Sequence, residues 1–464
     1  MEKKKTTIGI WGLGETGKSA IDYFSQDNFQ LQVMDKKILS KQEQNFLTKR
    51  NVTYIDETKG RNNFFSCNQF LFSSPGIDIK RYYATYQQKW LNELDLFYQN
   101  FNRTIIAITG SVGKTSITQL LGQLLVQYRM NIVIGGNIGT PPLALLNQKN
   151  FVDIALLEVS SFQLAYCKKF APDIAIWTNF YPNHLDWHDS IKNYFEAKYR
   201  IITHQHSKQK ALLPFNLLQK IKKYKPHPQY LSFFSSHRPT NSELKLLQEH
   251  NCLYFIDQNY LLKYKNGIFC SLITINKLPS ITFQENWLIV CSALDILNLP
   301  LSYLPKFTKK LTIPEHRLEK VAKINGVDFY NDSKSTTPAS TFAAVKTLSS
   351  KPIFLFLGGL SKGIKRKQFI KSLKNYVTFI YCFGNEATSL SHFCKEYEMP
   401  ATAYTNLDHA FTDAIQQIRP GSVLLFSPAG SSFDLFANYQ ERGNYFKNLV
   451  NNYIINQNKK NEIK

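Results

Sequence analysis

The stretch AITGSVGKTSITQL, residues 107–120, has the residue types and the spacing of a phosphate-binding loop. An apolar, strand-like run precedes it, a helix-like pattern follows it, and its key residues are Gly110, Gly113, Lys114 and Thr115. Backbone N–H groups at a helix N-terminus bind phosphate through hydrogen bonds and the helix dipole. The lysine of such a loop reaches the terminal phosphates of a nucleotide, and the hydroxyl binds Mg²⁺. The stretch therefore predicts an ATP site of the shorter form G-x-x-G-K-T, with a chance glycine turn as the alternative.

A second glycine loop, GLGETG at residues 12–17, follows a strand-like run near the N-terminus, and Asp35 ends the next apolar run. This pattern is typical of a dinucleotide-binding unit. Alone it would indicate an NAD-dependent oxidoreductase. Together with the phosphate loop it favours an enzyme that binds ATP in one domain and the nucleotide part of its substrate in another.

Charged residues stand at the ends of two further apolar runs. Glu158 ends FVDIALLE, and His184, Asp186 and His188 follow DIAIWTNF. Ligands of open α/β sheets bind beyond the carboxyl ends of the strands, and a carboxylate near a phosphate loop is a natural Mg²⁺ ligand. We predict that Glu158 binds metal and that His184 contacts substrate or a second metal, with His188 structural. A solvated strand-end glutamate is the alternative.

The segment SIKNYFEAKYRIITHQ, residues 190–205, predicts an amphipathic helix. Ile191, Phe195, Lys198 and Ile202 recur on one face of it at helical spacing. A lysine on an apolar face usually extends its amine to water. Alternatively, burial lowers the pKa of the amine, and the neutral form reacts with CO₂ to give a carbamate that can bind Mg²⁺. The pattern alone leaves both interpretations open.

Three strand-like runs in the last third of the chain, VDFYNDSK, PIFLFLGGLSK and SVLLFSPAGSS, end in polar side chains. The polar residues at these ends are Asp332, Ser333, Lys334, Lys362, Ser431 and Ser432. Thr337 and Pro338 then predict a helix start, as N-cap and first helical residue. Together, the polar residues at these three strand ends would suit the binding of an acidic acceptor that carries an amine. Each residue alone is equally compatible with a surface or capping role.

Strand-like and helix-like runs alternate along the 464 residues, which is typical of α/β domains with parallel sheets. The pattern restarts near residues 98 and 312 and predicts three units at 1–98, 99–311 and 312–464. The stretch from about 205 to 280 is expected to add strands to the middle unit. We find no apolar run long enough to span a membrane. Seven scattered cysteines without a C-x-x-C pair favour reduced thiols in a cytoplasm.

The net charge of +22 raises the question of a nucleic-acid partner. The lysines are spread along the whole chain, and Lys, Asn, Ile, Phe and Tyr are all abundant, as an A/T-rich coding bias produces. We therefore expect no specific nucleic-acid partner. An anionic small substrate also suits a basic protein.

Together these segments resemble the Mur ligases, the ATP-dependent ligases of peptidoglycan synthesis. The resemblance runs from residue 8 to about residue 447 and is carried by GLGETG, SSPGI, AITGSVGKTS, GGNIGTPPL, LEVSSFQL, TNFYPNHLDWH, EAKYRI, EHRLE, NDSKSTT, GGLSK and SPAGSSFDLFANYQERGNYF. The central loop and EHR are shared across the family. SSFQL, NDSK-T and the SPA-SS-D-F-N pattern are similar to its D-glutamate-adding branch.

The resemblance implies three domains: an N-terminal Rossmann-like domain that binds UDP, a central P-loop ATPase-like α/β domain, and a C-terminal Rossmann-like domain that binds D-glutamate. It implies the addition of D-glutamate to UDP-N-acetylmuramoyl-L-alanine through an acyl phosphate, with ADP and phosphate as products. The implied cofactors are ATP, two Mg²⁺ ions and a carbamylated Lys198. We further expect a cytoplasmic monomer.

Matching the motifs residue by residue implies the following roles. For ATP the residues are Gly110, Ser111, Val112, Gly113, Lys114, Thr115, Ser116, Asn286, Arg317 and Asp332, with His316 beside them. For the UDP substrate they are Gly14, Glu15, Thr16, Asp35, Ser74, Pro75, Gly76, Asn137, Ser160 and Gln163. For D-glutamate they are Lys334, Thr336, Lys362, Ser432, Phe433 and Tyr439. The implied metal ligands are Thr115, Glu158, His184 and carbamylated Lys198, and the implied catalytic residues are Lys114, His184 and Lys198.

The chain departs from the family pattern at several positions. Val112 and Thr337 each occupy a position where an asparagine is usual. The family motif His-Asn-x-x-Asn appears here as ENWLI, in which Asn286 keeps the first asparagine and Ile289 replaces the second. GGLSK lacks an aspartate and a glycine that are usual in that turn. The change at Ile289 bears on adenine binding, and we expect activity to survive all of these changes.

Three alternatives remain open. Folylpolyglutamate synthase, a relative, adds L-glutamate to folates but begins at the ATP domain, so the GLGETG unit argues against it. Addition of a different amino acid within the Mur family is opposed by the third-domain motifs. From another class, an inactive nucleotide- or RNA-binding module would use the charge of +22.

Overall fold

The computed structural model describes residues 5–27, 29–224, 230–279, 282–312, 315–361 and 366–462. Within these residues the strands form three sheets, one after another along the chain. Helices alternate with mainly parallel strands in each, which confirms the predicted α/β class. No helix in these ranges is long and apolar enough to cross a membrane.

The first domain is built around a fully parallel sheet. Its strands are β1 (Thr7–Trp11), β2 (Gln30–Asp35), β3 (Thr53–Asp56), β4 (Phe70–Ser73) and β5 (Trp90–Leu91). Its helices are α1 (Glu15–Phe24), α2 (Lys41–Lys49), α3 (Glu57–Cys67), α4 (Lys80–Tyr83) and α5 (Glu93–Asn100). The strand order is β3-β2-β1-β4-β5. The glycine loop therefore leaves β1 where the strand order reverses, the place where open α/β sheets bind ligands.

The middle domain has the largest sheet. Its strands are β6 (Thr104–Thr109), β7 (Ile132–Gly136), β8 (Ile154–Glu158), β9 (Ile174–Trp177), β10 (Lys210–Pro214), β11 (Tyr230–Ser235), β12 (Cys252–Asp257), β13 (Tyr260–Lys265) and β14 (Ile268–Thr274). The order is β14-β13-β12-β11-β10-β9-β6-β8-β7, and only the pairs that involve β13 are antiparallel within the described residues. The stretch 205–280 does add strands, β10 to β14, to this sheet.

Helices cover both faces of the middle sheet. They are α6 (Lys114–Gln127), α7 (Pro142–Leu145), α8 (Ser161–Leu164), α9 (Leu185–His188), α10 (Ile191–Thr203), α11 (Leu218–Ile221), α12 (Asn241–Leu244), α13 (Gln284–Ile296) and α14 (Leu304–Phe307). Short 3₁₀ helices lie at Leu146–Gln148, Phe215–Leu217, Ile275–Lys277, Leu301–Tyr303 and Thr308–Lys310. β6 and β8 are adjacent and buried, so the polar residues that follow them meet at one edge of the sheet.

The third domain repeats the α/β plan. Its strands are β15 (Glu319–Ile324), β16 (Val327–Asn331), β17 (Ile353–Gly358), β18 (Phe379–Phe383), β19 (Ala401–Tyr404) and β20 (Val423–Phe426). Its helices are α15 (Pro338–Leu348), α16 (Arg366–Leu373), α17 (Ala387–Glu396), α18 (Leu407–Gln417) and α19 (Tyr439–Glu462). The strand order is β15-β16-β20-β17-β18-β19. α15 begins as predicted, because Oγ1 of its N-cap Thr337 accepts a hydrogen bond from the N–H of Ser340.

The first and middle domains pack against each other more closely than the middle and third domains do. One cluster of buried apolar side chains is continuous from Leu13 in the first domain to Phe170 in the middle domain. The third domain has apolar clusters of its own. It meets the middle domain through polar contacts, among them Nη1 of Arg317 with Oγ of Ser116 at 3.0 Å. The site described next lies at this polar junction.

Candidate active site

The phosphate loop connects β6 to α6 at the carboxyl edge of the middle sheet. Gly110 has a φ of 150° and Gly113 a φ of 82°, backbone conformations that favour glycine. A Cβ on Gly110 would also lie 1.9 Å from Oγ1 of Thr178. The N–H of Val112 donates to Oδ1 of Asn179 at 2.9 Å, which holds this part of the loop. The predicted loop is therefore formed, with the N-terminus of α6 behind it.

A partly buried lysine and a fully buried lysine share one backbone carbonyl beside this loop. Nζ of Lys114 donates to the carbonyl of Gly110 at 2.9 Å, and Nζ of Lys198 donates to the same carbonyl at 2.8 Å. Burial lowers the pKa of both amines, and the nearby charge of Lys114 lowers the pKa of Lys198 further, to well below its ordinary value. Lys198 is only 1% exposed, so its amine does not extend to water.

The face of α10 that carries Lys198 differs from the sequence prediction at one residue. Phe195, Lys198 and Ile202 are buried, as expected. Ile191 is 45% exposed, so its predicted place on the buried face was wrong. Ile191 is the first residue of the helix, and the buried residues of the helix begin only at Tyr194.

Glu158 ends β8 next to these lysines and is 2% exposed. Its Oε1 accepts a hydrogen bond from Nδ2 of Asn137 at 2.8 Å. Its Oε2 is buried and has no hydrogen-bond partner among the described residues. A buried carboxylate oxygen without a partner is unfavourable, and a bound cation would satisfy it.

The groups around Glu158 fit Mg²⁺ better than a metal ion that is bound by protein side chains alone. In the described ranges, no three or more His, Cys, Asp or Glu side chains group to hold a metal ion. Mg²⁺ does not need such a group, because it is commonly bound by one or two carboxylates together with substrate phosphates and water. Thr115 and His184 face the same space as Glu158. His184 precedes α9, and its ring contacts the edge of Phe162 at a centroid distance of 4.9 Å.

The space around these groups, which we name the central cavity, measures about 930 Å³ including the part open to solvent. The predicted residues that line it from the middle domain are Ser111, Val112, Gly113, Lys114, Thr115, Asn137, Glu158, Ser160, His184 and Lys198. Those that line it from the third domain are Arg317, Lys334 and Thr336. One cavity thus brings together residues predicted for the triphosphate, the metal and the amino acid.

A second space, the base cavity, also lies between the middle and third domains. The predicted ATP residues that line it are Val112, Gly113, Ser116, Asn286, Arg317 and Asp332. Leu120, Tyr181 and Phe283 give it apolar and aromatic walls, which suit a flat heterocyclic base. Arg317 and the phosphate loop line both cavities, so a nucleotide could place its base in one and its phosphates in the other.

Asp332, which directly follows β16, holds the residues next to Arg317 in place. Asp332 is buried and accepts hydrogen bonds from the N–H of Leu318 at 3.1 Å and from Oγ of Ser427 at 2.7 Å. Burial raises the pKa of Asp332 to about 6 in spite of these bonds. His316 is buried with its Nδ1 2.9 Å from Nδ2 of Asn331, a contact that supports the loop next to Arg317.

The residues predicted for the UDP substrate divide between several places. Gly14, Asp35, Ser74 and Gly76 line a cavity at the carboxyl edge of the first sheet, and Pro75 and Gln163 line another between the first and middle domains. Oδ2 of Asp35 accepts a hydrogen bond from the N–H of Leu13 at 2.7 Å, so this carboxylate also holds the glycine loop. Glu15 and Thr16 begin α1, and Ser160 and Gln163 form a capping box on α8.

The residues predicted for D-glutamate are only partly brought together. Lys334 and Thr336 line the central cavity, and Nζ of Lys334 lies 3.7 Å from the ring centre of Tyr439. Ser432 is buried, whereas Phe433 is 72% exposed. Lys362 lies outside the described residues.

Sequence reasoning missed several residues of the site. Asn179 and Tyr181 line the base cavity. Asn179 follows β9, so the rule that identified Glu158 at a strand end could have found it. Arg442 is fully buried and donates to the carbonyls of Ser333 at 2.7 Å and Gly430 at 3.0 Å. It thereby ties together the loops after β16 and β20, and no spacing in the sequence indicates this contact.

Comparison with known proteins assigns all three domains. Residues 6–95 match the "Mur ligase MurD-like, N-terminal domain", residues 108–273 the "Mur ligase middle domain", and residues 316–430 the "Mur ligase, glutamate ligase domain". UDP-N-acetylmuramoylalanine--D-glutamate ligase of Natranaerobius thermophilus is 30% identical over 95% of this chain and 97% of that protein. The protein of the same name from Desulfotalea psychrophila is 31% identical over 96% of each chain.

A solved structure has the same fold. The MurF ligase from Thermotoga maritima, in complex with ADP, matches with a TM-score of 0.56 and 16% identity over 92% of each chain. On the strength of the relatives at 30% and 31% identity over nearly its whole length, the chain belongs to the Mur ligase family.

Proposed function

We propose that the protein is an ATP-dependent ligase that joins D-glutamate to the L-alanyl carboxyl group of UDP-N-acetylmuramoyl-L-alanine in peptidoglycan synthesis. The observation that carries the proposal is the central cavity. There the phosphate loop with Lys114, Glu158 and the buried Lys198 face Lys334 and Thr336 of the third domain. The names of the relatives support the same substrate pair.

The proposed reaction has two steps. A carboxylate oxygen of the L-alanyl group attacks the γ-phosphorus of ATP, and the bond between that phosphorus and the β–γ bridging oxygen breaks. The products of this step are an acyl phosphate and ADP. The amine of D-glutamate then attacks the acyl carbon and loses a proton, and phosphate leaves with the former carboxylate oxygen. Catalysis of such phosphoryl transfers is mainly positioning and charge neutralisation.

The residues of the middle domain supply this positioning. The N-terminus of α6 presents backbone N–H groups to the phosphates. Lys114, which now donates to the carbonyl of Gly110, is placed to exchange that acceptor for a phosphate oxygen. Arg317 reaches Ser116 from the third domain and adds a second cation at the same point. Asn137 holds the Glu158 carboxylate in place from the side.

Thr115, Glu158 and His184 would hold Mg²⁺ here, with carbamylated Lys198 as a ligand of a second ion. The ions would supply neutralisation of the phosphate charge. The buried amine of Lys198 supports the modification, because its lowered pKa increases the fraction that is neutral and nucleophilic at neutral pH. In that reaction the amine nitrogen bonds to the carbon of CO₂ and one proton is released.

The third domain would bind the incoming amino acid. We propose that Lys334 and Thr336 bind the carboxylates of D-glutamate in the central cavity, with Lys362, Ser432, Phe433 and Tyr439 completing the pocket. The cation–π contact of Lys334 with Tyr439 supports this, because it holds one positive charge at the cavity wall. We also propose a cytoplasmic monomer without a specific nucleic-acid partner; the free thiols of the described cysteines suit a reducing compartment.

The test is phosphate release by the purified protein. With ATP, Mg²⁺ and UDP-N-acetylmuramoyl-L-alanine, we expect release that depends on D-glutamate and is absent with L-glutamate, L-alanine or a diamino acid. Equal rates with L-glutamate would overturn the specificity. Binding of RNA with steep salt dependence and without phosphate release would instead favour the non-catalytic alternative.

A further inference from the structure

The turn directly after β17 is anchored by two side chains from the neighbouring helices of the third domain. Arg366, the first residue of α16, donates from Nη2 to the carbonyl of Gly359 at 2.8 Å and from Nη1 to the carbonyl of Gly358 at 3.3 Å. Glu386, the residue before α17, accepts a hydrogen bond on Oε1 from the N–H of Ser361 at 2.7 Å. Its Oε2 lies 3.1 Å from Nε of Arg366. The two side chains thus form an ion pair that contacts the backbone of the turn at three residues.

A gain in stability does not by itself account for this ion pair. Arg366 is only 4% exposed, and burial lowers the pKa of its guanidinium while the charge of Glu386 opposes that effect. When an ion pair is buried, the cost of removing the charges from water offsets most of their attraction. The guanidinium, however, is a rigid fork of N–H donors that fixes the positions of two carbonyl oxygens at once. What the pair contributes is therefore a fixed path for the turn.

The anchored turn is joined to the loop that follows β20. The N–H of Leu360 donates to the carbonyl of Ser431 at 3.0 Å, and the N–H of Ser431 donates to the carbonyl of Leu360 at 2.9 Å. The guanidinium of Arg366 also packs directly against this loop, since a Cβ on Gly430 would lie 2.3 Å from its Nη2. A shift of the turn would therefore shift the loop after β20 with it.

The turn and the loop both lead into residues predicted for D-glutamate. Ser432 directly follows the backbone bridge between them, and Lys362 directly follows the turn in the sequence. On its other side, the loop reaches the central cavity, because the N–H of Ala429 donates to the carbonyl of Ser335 at 2.9 Å and Ser335 lines that cavity. Backbone hydrogen bonds thus connect the ion pair to the amino-acid side of the central cavity.

We propose that Arg366 and Glu386 are positioning residues for the incoming amino acid, which hold the turn after β17 against the loop after β20 and so keep the D-glutamate pocket in its binding geometry. Neither is among the described residues that line the central cavity, so both act through the backbone. The turn lacks an aspartate and a glycine that are usual in the family, and the ion pair supports it from outside. This inference rests on the proposed function.

The test measures the KM for D-glutamate and the KM for ATP in full-length variants. Arg366→Met keeps an apolar stem and removes the guanidinium, and it should raise the KM for D-glutamate about tenfold, since hydrogen bonds from a charged group are lost. The KM for ATP should stay unchanged. Glu386→Gln keeps an acceptor for the N–H of Ser361 and should cause a smaller rise. In the double variant the rise should be less than the product of the two single rises, because the two side chains act as one unit.

Lys367 provides a matched control, because it is the next residue of α16 and pairs with Glu396 of α17 at 2.5 Å on the surface. Lys367→Met removes an ion pair between the same two helices and should match the wild type in both KM values. An unchanged KM for D-glutamate in Arg366→Met, or an equal rise in both KM values, would overturn the inference and leave the proposed function intact. If Arg366→Met does not fold, Arg366→Lys, which loses the fork but keeps the charge, decides by the same two KM values. Absence of D-glutamate-dependent phosphate release in the wild type would overturn both proposals.

Discussion

Asp332 offers a test in which stability and function should change in opposite directions. Burial raises the pKa of its carboxyl from the ordinary 3.8 to about 6. One pKa unit corresponds to about 1.4 kcal/mol, so ionised Asp332 costs the folded protein roughly 3 kcal/mol at neutral pH. Because the folded-state pKa is raised, the stability that Asp332 contributes is fully present below pH 3.8 and is lost as the pH rises through about 6.

Asp332→Asn should therefore stabilise the third domain at pH 7.5 by about 1 to 3 kcal/mol and have little effect near pH 4. The substituted amide keeps an acceptor for the N–H of Leu318, and Oγ of Ser427 can turn its proton to Oγ1 of Thr341, 2.9 Å away. Activity should fall, because the carboxylate lines the base cavity.

The assay is amide hydrogen exchange in peptides that cover β16 and β20, since no tryptophan occurs in residues 312–464 to report on this domain. Asp328→Asn is the matched control, since Asp328 lies on β16 and Asp332 directly follows that strand. Burial alone would raise the pKa of the Asp328 carboxyl. Its hydrogen bonds with Lys320 and Lys351 outweigh this effect of burial, so the pKa is lowered. That variant should lose stability at pH 7.5. Equal or lower protection in Asp332→Asn at pH 7.5, or the same gain at pH 4, would refute the reasoning.

Three further substitutions test the phosphate loop and its neighbours. Lys198→Ala should lower activity by about 10²-fold or more, and short-chain carboxylic acids should restore part of it by replacing the carbamate; full activity without rescue would remove Lys198 from the mechanism. Glu158→Gln should raise the Mg²⁺ concentration needed for half-maximal phosphate release by about tenfold, since a charged ligand becomes a neutral one; an unchanged Mg²⁺ titration contradicts this. Gly110→Ala should strain the loop by about 1–3 kcal/mol and weaken ATP binding accordingly. The reason is that the added Cβ would lie 1.9 Å from Thr178 and that the φ of residue 110 is 150°. Wild-type affinity in a calorimetric titration would show that the loop tolerates a side chain.

Features that depend on neighbouring residues could be predicted from the sequence. The α/β class follows from alternating apolar periodicities, and the phosphate loop follows from glycines between a strand and a helix. The start of α15 follows from Thr337 and Pro338, since an N-cap acts within one turn of helix. Domain limits and the roles of individual site residues remain predictions that the binding and kinetic experiments address.

Features that depend on tertiary packing could not be predicted. The pattern around Lys198 fitted both an exposed and a buried amine, and only the packing of α10 decides between them. The same periodicity placed Ile191 on the apolar face, although the buried residues of the helix begin only at Tyr194. Trp90 and Trp187 line one cavity only because two domains pack together, and no spacing along the chain relates them.

The most direct test of the central claim follows the oxygen atoms of the substrate. UDP-N-acetylmuramoyl-L-alanine labelled with ¹⁸O in both oxygens of its carboxylate is turned over with ATP and D-glutamate, and the released phosphate is analysed by mass spectrometry. If the carboxylate attacks the γ-phosphorus, one labelled oxygen must appear in each phosphate and the other must remain in the new amide. Phosphate without label would contradict the proposed acyl phosphate and the arrangement of the central cavity on which it rests.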